Sequence, residues 1–109
     1  MEKLDYIKEE IDKFVKERDW EKFHTPENLA KSISIEASEL LECFQWDNNN
    51  FDLEAVKEEL ADVFNYCFQL ASVLDLDISK IILEKMEKNR KKYPIEKAKG
   101  VSTKYDKLK

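Results

Sequence analysis

Residues 27–93 contain neither glycine nor proline, and the whole chain has one Gly and two Pro. These two residues punctuate folded chains, glycine through backbone freedom and proline through its fixed φ and missing N–H. So little punctuation cannot supply the turns of a multi-stranded sheet, whereas Glu, Lys, Leu and Ala favour helix. The fold class predicted is all-α. With 109 residues there is material for one domain with a modest core.

Helical spacing of Leu4, Ile7, Ile11, Phe14 and Val15 predicts a first amphipathic helix over 2–18. The breaker DWEKFHTPEN follows. Thr25 is a suitable N-cap and Pro26 a suitable first helical residue for a second helix, running to about residue 46. After DNNNF, Asp52 caps a third helix reaching about Leu74, and Asp77 caps a fourth over 78–92. Tyr93 precedes Pro94, which disfavours further helix. The helical domain is thus expected over 1–94. The tail, 95–109, carries five lysines and two acids; it is read as a solvated, partly mobile end or as a basic flap over an anionic ligand.

A net charge of −5 argues against a nucleic-acid polymer as partner, since tracking a phosphate backbone requires basic charge. It does not exclude a small phosphorylated ligand, because a metal can reverse the local sign. No run approaches the roughly 18–20 apolar residues of a membrane span, so no membrane is expected. MEKLDYIKEE reads as neither signal nor transit peptide, which points to the cytoplasm. Cys43 and Cys67 lack C-x-x-C spacing; they read as reduced core cysteines rather than as a zinc or disulfide framework.

The second and third helices share an anomaly. On a wheel of 100° per residue centred on Glu36, Leu29, Ile33, Ala37, Leu40 and Phe44 fall at about 20° to 100°, and Cys43 near −20°. Glu36 therefore lies inside the apolar arc, with Glu39 on its flank near −60°. Centred on Glu59, Val56, Val63, Cys67 and Leu70 fall at about 20° to 80°, Tyr66 near −20° and Asp62 again near −60°. Buried carboxylates are costly unless paired, and four facing one another would repel. A cation between them resolves the conflict. Oxygen-only ligands indicate Mg²⁺, with Mn²⁺ as substitute. A di-iron bundle would want Glu-x-x-His on two helices, and His24, the only histidine, lies in a loop.

Five elements occur in order: W-x-x-F-H-x-P-x-N-L at 20–29, E-x-x-E at 36–39, FQW at 44–46, E-x-x-D at 59–62 and K-M-x-x-N-R-x-x-Y-P at 85–94. Together they resemble the MazG-like nucleotide pyrophosphohydrolases, most nearly the dCTP-hydrolysing type, over residues 18 to about 106. The resemblance implies a four-helix bundle with a short C-terminal tail, assembled as a dimer or tetramer. It implies Mg²⁺-dependent hydrolysis of a nucleoside triphosphate, dCTP or a modified dCTP, to the monophosphate and pyrophosphate. On this basis Glu36, Glu39, Glu59 and Asp62 hold the metal. Glu36 and Glu39 are also the catalytic candidates, with Glu36 as ligand or as base toward water. Trp20, Trp46 and Tyr66 would surround the nucleoside. His24 and Asn28 would bond the ligand or fix the loop, and Lys85 and Asn89 would contact the triphosphate. Two readings compete: a broad NTP or phosphoribosyl-ATP pyrophosphohydrolase, and a catalytically silent nucleotide-binding helical oligomer.

The periodicity also bears on assembly. Ala61 and Phe68 lie opposite Glu59, and Ile35 lies outside the main arc of its helix. More than one helix face is apolar, so a partner copy is expected to cover the surplus; of the dimer and tetramer that the resemblance implies, the homotetramer is favoured.

Overall fold

The computed structural model describes residues 3–108, all of them in helices, turns and irregular segments without a strand. The α helices are α1 (Lys3–Glu17), α2 (Pro26–Glu42), α3 (Leu53–Val73), α4 (Ile78–Lys92) and the short α5 (Ile95–Ala98). Single 3₁₀ turns occupy Glu21–Phe23 and Tyr105–Lys107. The chain divides into two compact units, 1–76 and 77–109. That division falls earlier than the expected domain end at 94 and groups α4 with the tail.

All three expected caps form. Thr25 Oγ1 accepts from the Asn28 amide at 3.1 Å, Asp52 Oδ1 from Glu54 at 3.0 Å, and Asp77 Oδ1 from Lys80 at 3.2 Å. Each satisfies one backbone donor that a helix start leaves without a partner. The ends of α1 and α3 are built alike and without glycine. Asp19 and Asp75 each take φ near 55°. The Asp19 amide donates to the Lys16 carbonyl and that of Trp20 to Val15; the Asp75 amide donates to Ser72 and that of Leu76 to Ala71. This is the paired bonding of a Schellman ending, with aspartate in the left-handed position that glycine usually holds. It also explains why α1 stops at Glu17 rather than 18; residue 2, the expected start, lies outside the described residues.

The second helix is shorter than its periodicity implies. The amides of Cys43, Phe44 and Gln45 bond three residues back, to Leu40, Leu41 and Glu42, so the last turn tightens instead of continuing as α-helix. Phe44 then meets Phe51 at a ring-centroid distance of 4.8 Å, and Asp47 Oδ1 accepts from the Asn49 amide at 2.9 Å. An aromatic contact and an Asx turn thus hold the chain in a reversal before α3.

In the first unit α3 packs against both α2 and α1. The buried apolar side chains are Val15, Leu29, Phe68 and Ala71. Phe68, expected to face a partner, is therefore covered within the chain, while Ile35 (58% exposed), Leu41 (70%) and Phe64 (57%) are not. In the second unit the tail is partly structured. Tyr105 makes an edge contact with Tyr93 at 6.2 Å, and the Lys92 ammonium lies 4.7 Å from the Tyr105 ring centre. Gly100, at φ +80, supplies the left-handed residue in that segment.

Candidate active site

Packing α2 against α3 brings the two anomalous arcs face to face. Glu36, Glu59 and Asp62 each present a carboxylate oxygen within 4.8 Å of the others. Glu36 and Glu59 are half-buried and Asp62 is exposed. One oxygen of Glu36 and one of Glu59, both Oε2, are buried with no hydrogen-bond partner. Glu39, also half-buried, stands beside them. None of the ion pairs among the described residues involves any of these four acids.

The titration behaviour reflects that crowding. Glu36 is pushed up to about 7, first by a hydrogen bond shared with the Glu39 carboxyl, then by desolvation, then by the charges of Glu39, Asp62 and Glu59. Glu59 is raised chiefly by desolvation and next by its hydrogen bond with Glu39. Tyr66 is raised by burial and then by the charges of Glu36, Asp62 and Glu39. A cluster whose crowding raises Glu36 and Glu59 above the usual carboxylate range, and that keeps two buried oxygens unpaired, has the donor set of a hard divalent cation. Glu36, Glu59 and Asp62 would hold that cation; Glu39, hydrogen-bonded to Glu36 and Glu59, is not one of those three.

Glu36 and Asp62 also border a cavity of about 230 Å³ whose other walls are Phe14, Trp20, His24, Asn65, Tyr66 and Gln69. Trp20 owes its place to the end of α1, where the Schellman bond turns its amide back onto Val15. Its ring meets Phe14 edge-on at 5.7 Å, and the Arg18 guanidinium lies 3.7 Å over the opposite partner, Phe14. The loop to α2 is held by main-chain bonds from Phe23 to Trp20 and from His24 to Glu21. Asn28 completes it, donating from Nδ2 to the Phe23 carbonyl at 3.0 Å.

The structure thus gathers Trp20, His24, Glu36, Asp62 and Tyr66 around one space, with Glu59 behind them. Trp46 is not among the cavity walls; it lies beyond the tightened end of α2 and is 88% exposed. Lys85 and Asn89 lie on α4, in the second unit. There the positive charge of Lys92 is the main influence drawing the Lys85 ammonium below its usual range. Sequence reasoning missed three walls, Phe14, Asn65 and Gln69. The signal was present for two of them: on the α3 wheel Gln69 falls near −80° and Asn65 near −120°, continuing the flank of Asp62.

A helical chain with paired carboxylates facing across two helices and an aromatic-walled cavity beside them defines a known class. The chain belongs to the MazG-like family, whose profile matches residues 31–108. Among characterised relatives, dCTP pyrophosphatase 1 of Homo sapiens is 38% identical over 104 residues and that of Mus musculus 36% identical over the same length. Each match covers 87% of this chain, and the chain spans 61% of those relatives' length. The crystal structure of a pyrophosphatase from Archaeoglobus fulgidus superposes with a TM-score of 0.77 at 38% identity, covering 86% of this chain and 94% of that one. Among the described residues, no helix is long and apolar enough to cross a membrane.

Proposed function

We propose that this protein is a Mg²⁺-dependent nucleoside triphosphate pyrophosphohydrolase that converts dCTP, or a modified dCTP, to the monophosphate and pyrophosphate. The observation that carries this reading is the carboxylate cluster of Glu36, Glu59 and Asp62, with its two unpaired buried oxygens, opening beside a cavity walled by Trp20, His24 and Tyr66. The names of the relatives, dCTP pyrophosphatase 1 and pyrophosphatase, support it.

When bound, the divalent ion supplies charge neutralisation on the phosphoryl oxygens and orients a water nucleophile. The chain's own residues do the rest. Glu59 and Asp62 hold the acidic cage from α3, and Glu36 and Glu39 from α2. Glu36, on α2 beside the other acids, is placed to serve as ligand or to accept a proton from the attacking water. Trp20 and Tyr66 flank the space for the base, where stacking contributes about 1–3 kcal/mol. His24 lies on the same wall. Lys85 and Asn89 share a face of α4 and are assigned to the triphosphate.

The reading includes a homo-oligomer, the tetramer favoured. It is supported by the exposure of Ile35, Leu41 and Phe64, three large apolar side chains on the packed helices α2 and α3. A cytoplasmic location accords with an intracellular nucleotide substrate. The test is a panel of nucleoside triphosphates incubated with Mg²⁺, with both products identified by chromatography. Deoxycytidine monophosphate plus pyrophosphate, formed faster than from purine substrates, is the expected result. Release of orthophosphate, or no turnover of any triphosphate, overturns it.

A further inference from the structure

Gln69 is the one buried polar or charged side chain, at 7% exposure, among the described residues. It lies beyond the metal cluster on α3 and has no part in holding a cation. Its Nε2 donates to Asn65 Oδ1 at 2.8 Å, while its own Oε1 is buried without a partner. Leaving such an oxygen unpaired is unfavourable, and leucine of similar size would fill the position without that penalty. A polar pair retained here calls for a polar task.

The geometry supplies one. Asn65 and Gln69 are both walls of the cavity bordered by Glu36 and Asp62. With Gln69 bonded to Asn65 Oδ1, the Asn65 amide is oriented and its Nδ2 group remains as a donor of two hydrogens. Its neighbours on that wall are aromatic, Tyr66 beside it and Phe14 and Trp20 opposite in sequence, on α1 and its closing turn. Aromatic faces hold a base by stacking and do not distinguish one base edge from another. A fixed amide donor does.

We propose that Asn65 reads the base, donating from Nδ2 to an acceptor on the pyrimidine edge such as the cytosine O2 or N3, and that Gln69 is the positioning residue that fixes the direction of the Asn65 amide. This inference rests on the nucleoside pocket of the proposed function and adds the group that makes the pocket selective. The neutral pair also keeps selectivity separate from the charge of the cage one turn away, so a change at 65 or 69 alters recognition without altering the metal ligands.

The test uses binding of products, so that it does not depend on turnover. Affinities of the full-length protein, its Asn65→Leu and its Gln69→Leu variants are measured calorimetrically with Mg²⁺ for deoxycytidine monophosphate and for 2-deoxyribose 5-phosphate, which has no base. Thermal melting confirms that each variant is folded. The parent should prefer the nucleotide. Asn65→Leu should weaken nucleotide binding about 5- to 10-fold, the scale of one hydrogen bond, and leave the base-free ligand unchanged. Gln69→Leu should give a smaller loss, again confined to the nucleotide, because Asn65 remains but is no longer held. Equal losses for both ligands would return the pair to a packing role, and parental affinity for the nucleotide in Asn65→Leu, or a parent that binds the two ligands equally, would also overturn the assignment. Selective loss in a protein that hydrolyses no triphosphate would sink the proposed reaction and leave this inference standing.

Discussion

Replacing Glu36 by Gln separates the structural cost of the carboxylate cluster from its use. Glu36 is pushed up to about 7, chiefly by the proton it shares with Glu39, and its Oε2 is buried and unpaired. In the metal-free protein its folded pKa therefore lies above the unfolded value of 4.5. The stabilisation that goes with the protonated group is fully present below pH 4.5 and is lost as pH rises through about 7. An amide at this position cannot ionise, keeps a donor toward Glu39, and is free of that loss. Keeping the carboxylate charged against that raised proton affinity costs on the order of 1–3 kcal/mol. Glu36 is only half-buried, so solvent screening reduces its share to the lower end, about 1 kcal/mol. For a domain of this size that corresponds to a rise in Tm of about 4–8 °C. The rise should appear at pH 8 and vanish at pH 5, where the parental side chain is already protonated. Scanning calorimetry in chelator at the two pH values measures it. Turnover of dCTP with Mg²⁺ should fall about 10²-fold or more, equivalent to about 2.7 kcal/mol of barrier. An increase in Tm that is the same at pH 5 and pH 8, or a fall at pH 8, would refute the electrostatic reasoning. A folded variant with parental turnover would remove Glu36 from the reaction.

Exhaustive chelation should abolish turnover, and Mg²⁺ or Mn²⁺ should restore it; activity that persists in chelator contradicts the cation cage. Asp62→Asn should retain the fold and lose turnover about 10²-fold, measured by pyrophosphate release beside a circular dichroism melt. Asp75→Gly relieves a non-glycine residue from left-handed geometry, and should raise stability by about 0.5–1 kcal/mol in urea titration without changing catalysis; a loss would mean that the aspartate side chain contributes more than its backbone angle costs. Light scattering at low micromolar concentration should give a multiple of 13.0 kDa, with Phe64→Glu shifting the particle toward the single chain. A 13.0 kDa parent would leave the exposed apolar faces to another explanation.

The helices and their starts could be read from sequence because each signal was local. Thr25–Pro26, Asp52 and Asp77 satisfy backbone donors within their own first turns, and the missing glycines and prolines left long stretches with no alternative. Helix ends were less legible. Asp19 and Asp75 terminate α1 and α3 in a conformation that aspartate adopts less readily than glycine, so the chain carries no obvious stop there. The tightening of α2 after Glu42 depends on Phe44 meeting Phe51 across a turn, a contact that no periodicity encodes. The acidic cluster was legible because a charge inside an apolar arc is a contradiction visible on a helical wheel. Asn65 and Gln69 were not, since neutral amides on a helix flank are unremarkable until one of them is found buried with an oxygen unpaired.

The loop carrying Trp20 and His24 owes its path to the main chain: Trp20 to Val15, Phe23 to Trp20, His24 to Glu21, with Asn28 closing on Phe23. None of these bonds uses the indole or imidazole that faces the cavity. The wall therefore behaves like a socket, in which the fitting can be exchanged while its mount stays fixed. On the proposed reading, single replacements at 20 or 24 would reshape the stacking wall without first requiring a new loop conformation. The acidic cluster has no such latitude, because each of its side chains also sets the charge felt by the others. Divergence in this architecture should accumulate on the aromatic wall, with the acidic cluster held constant.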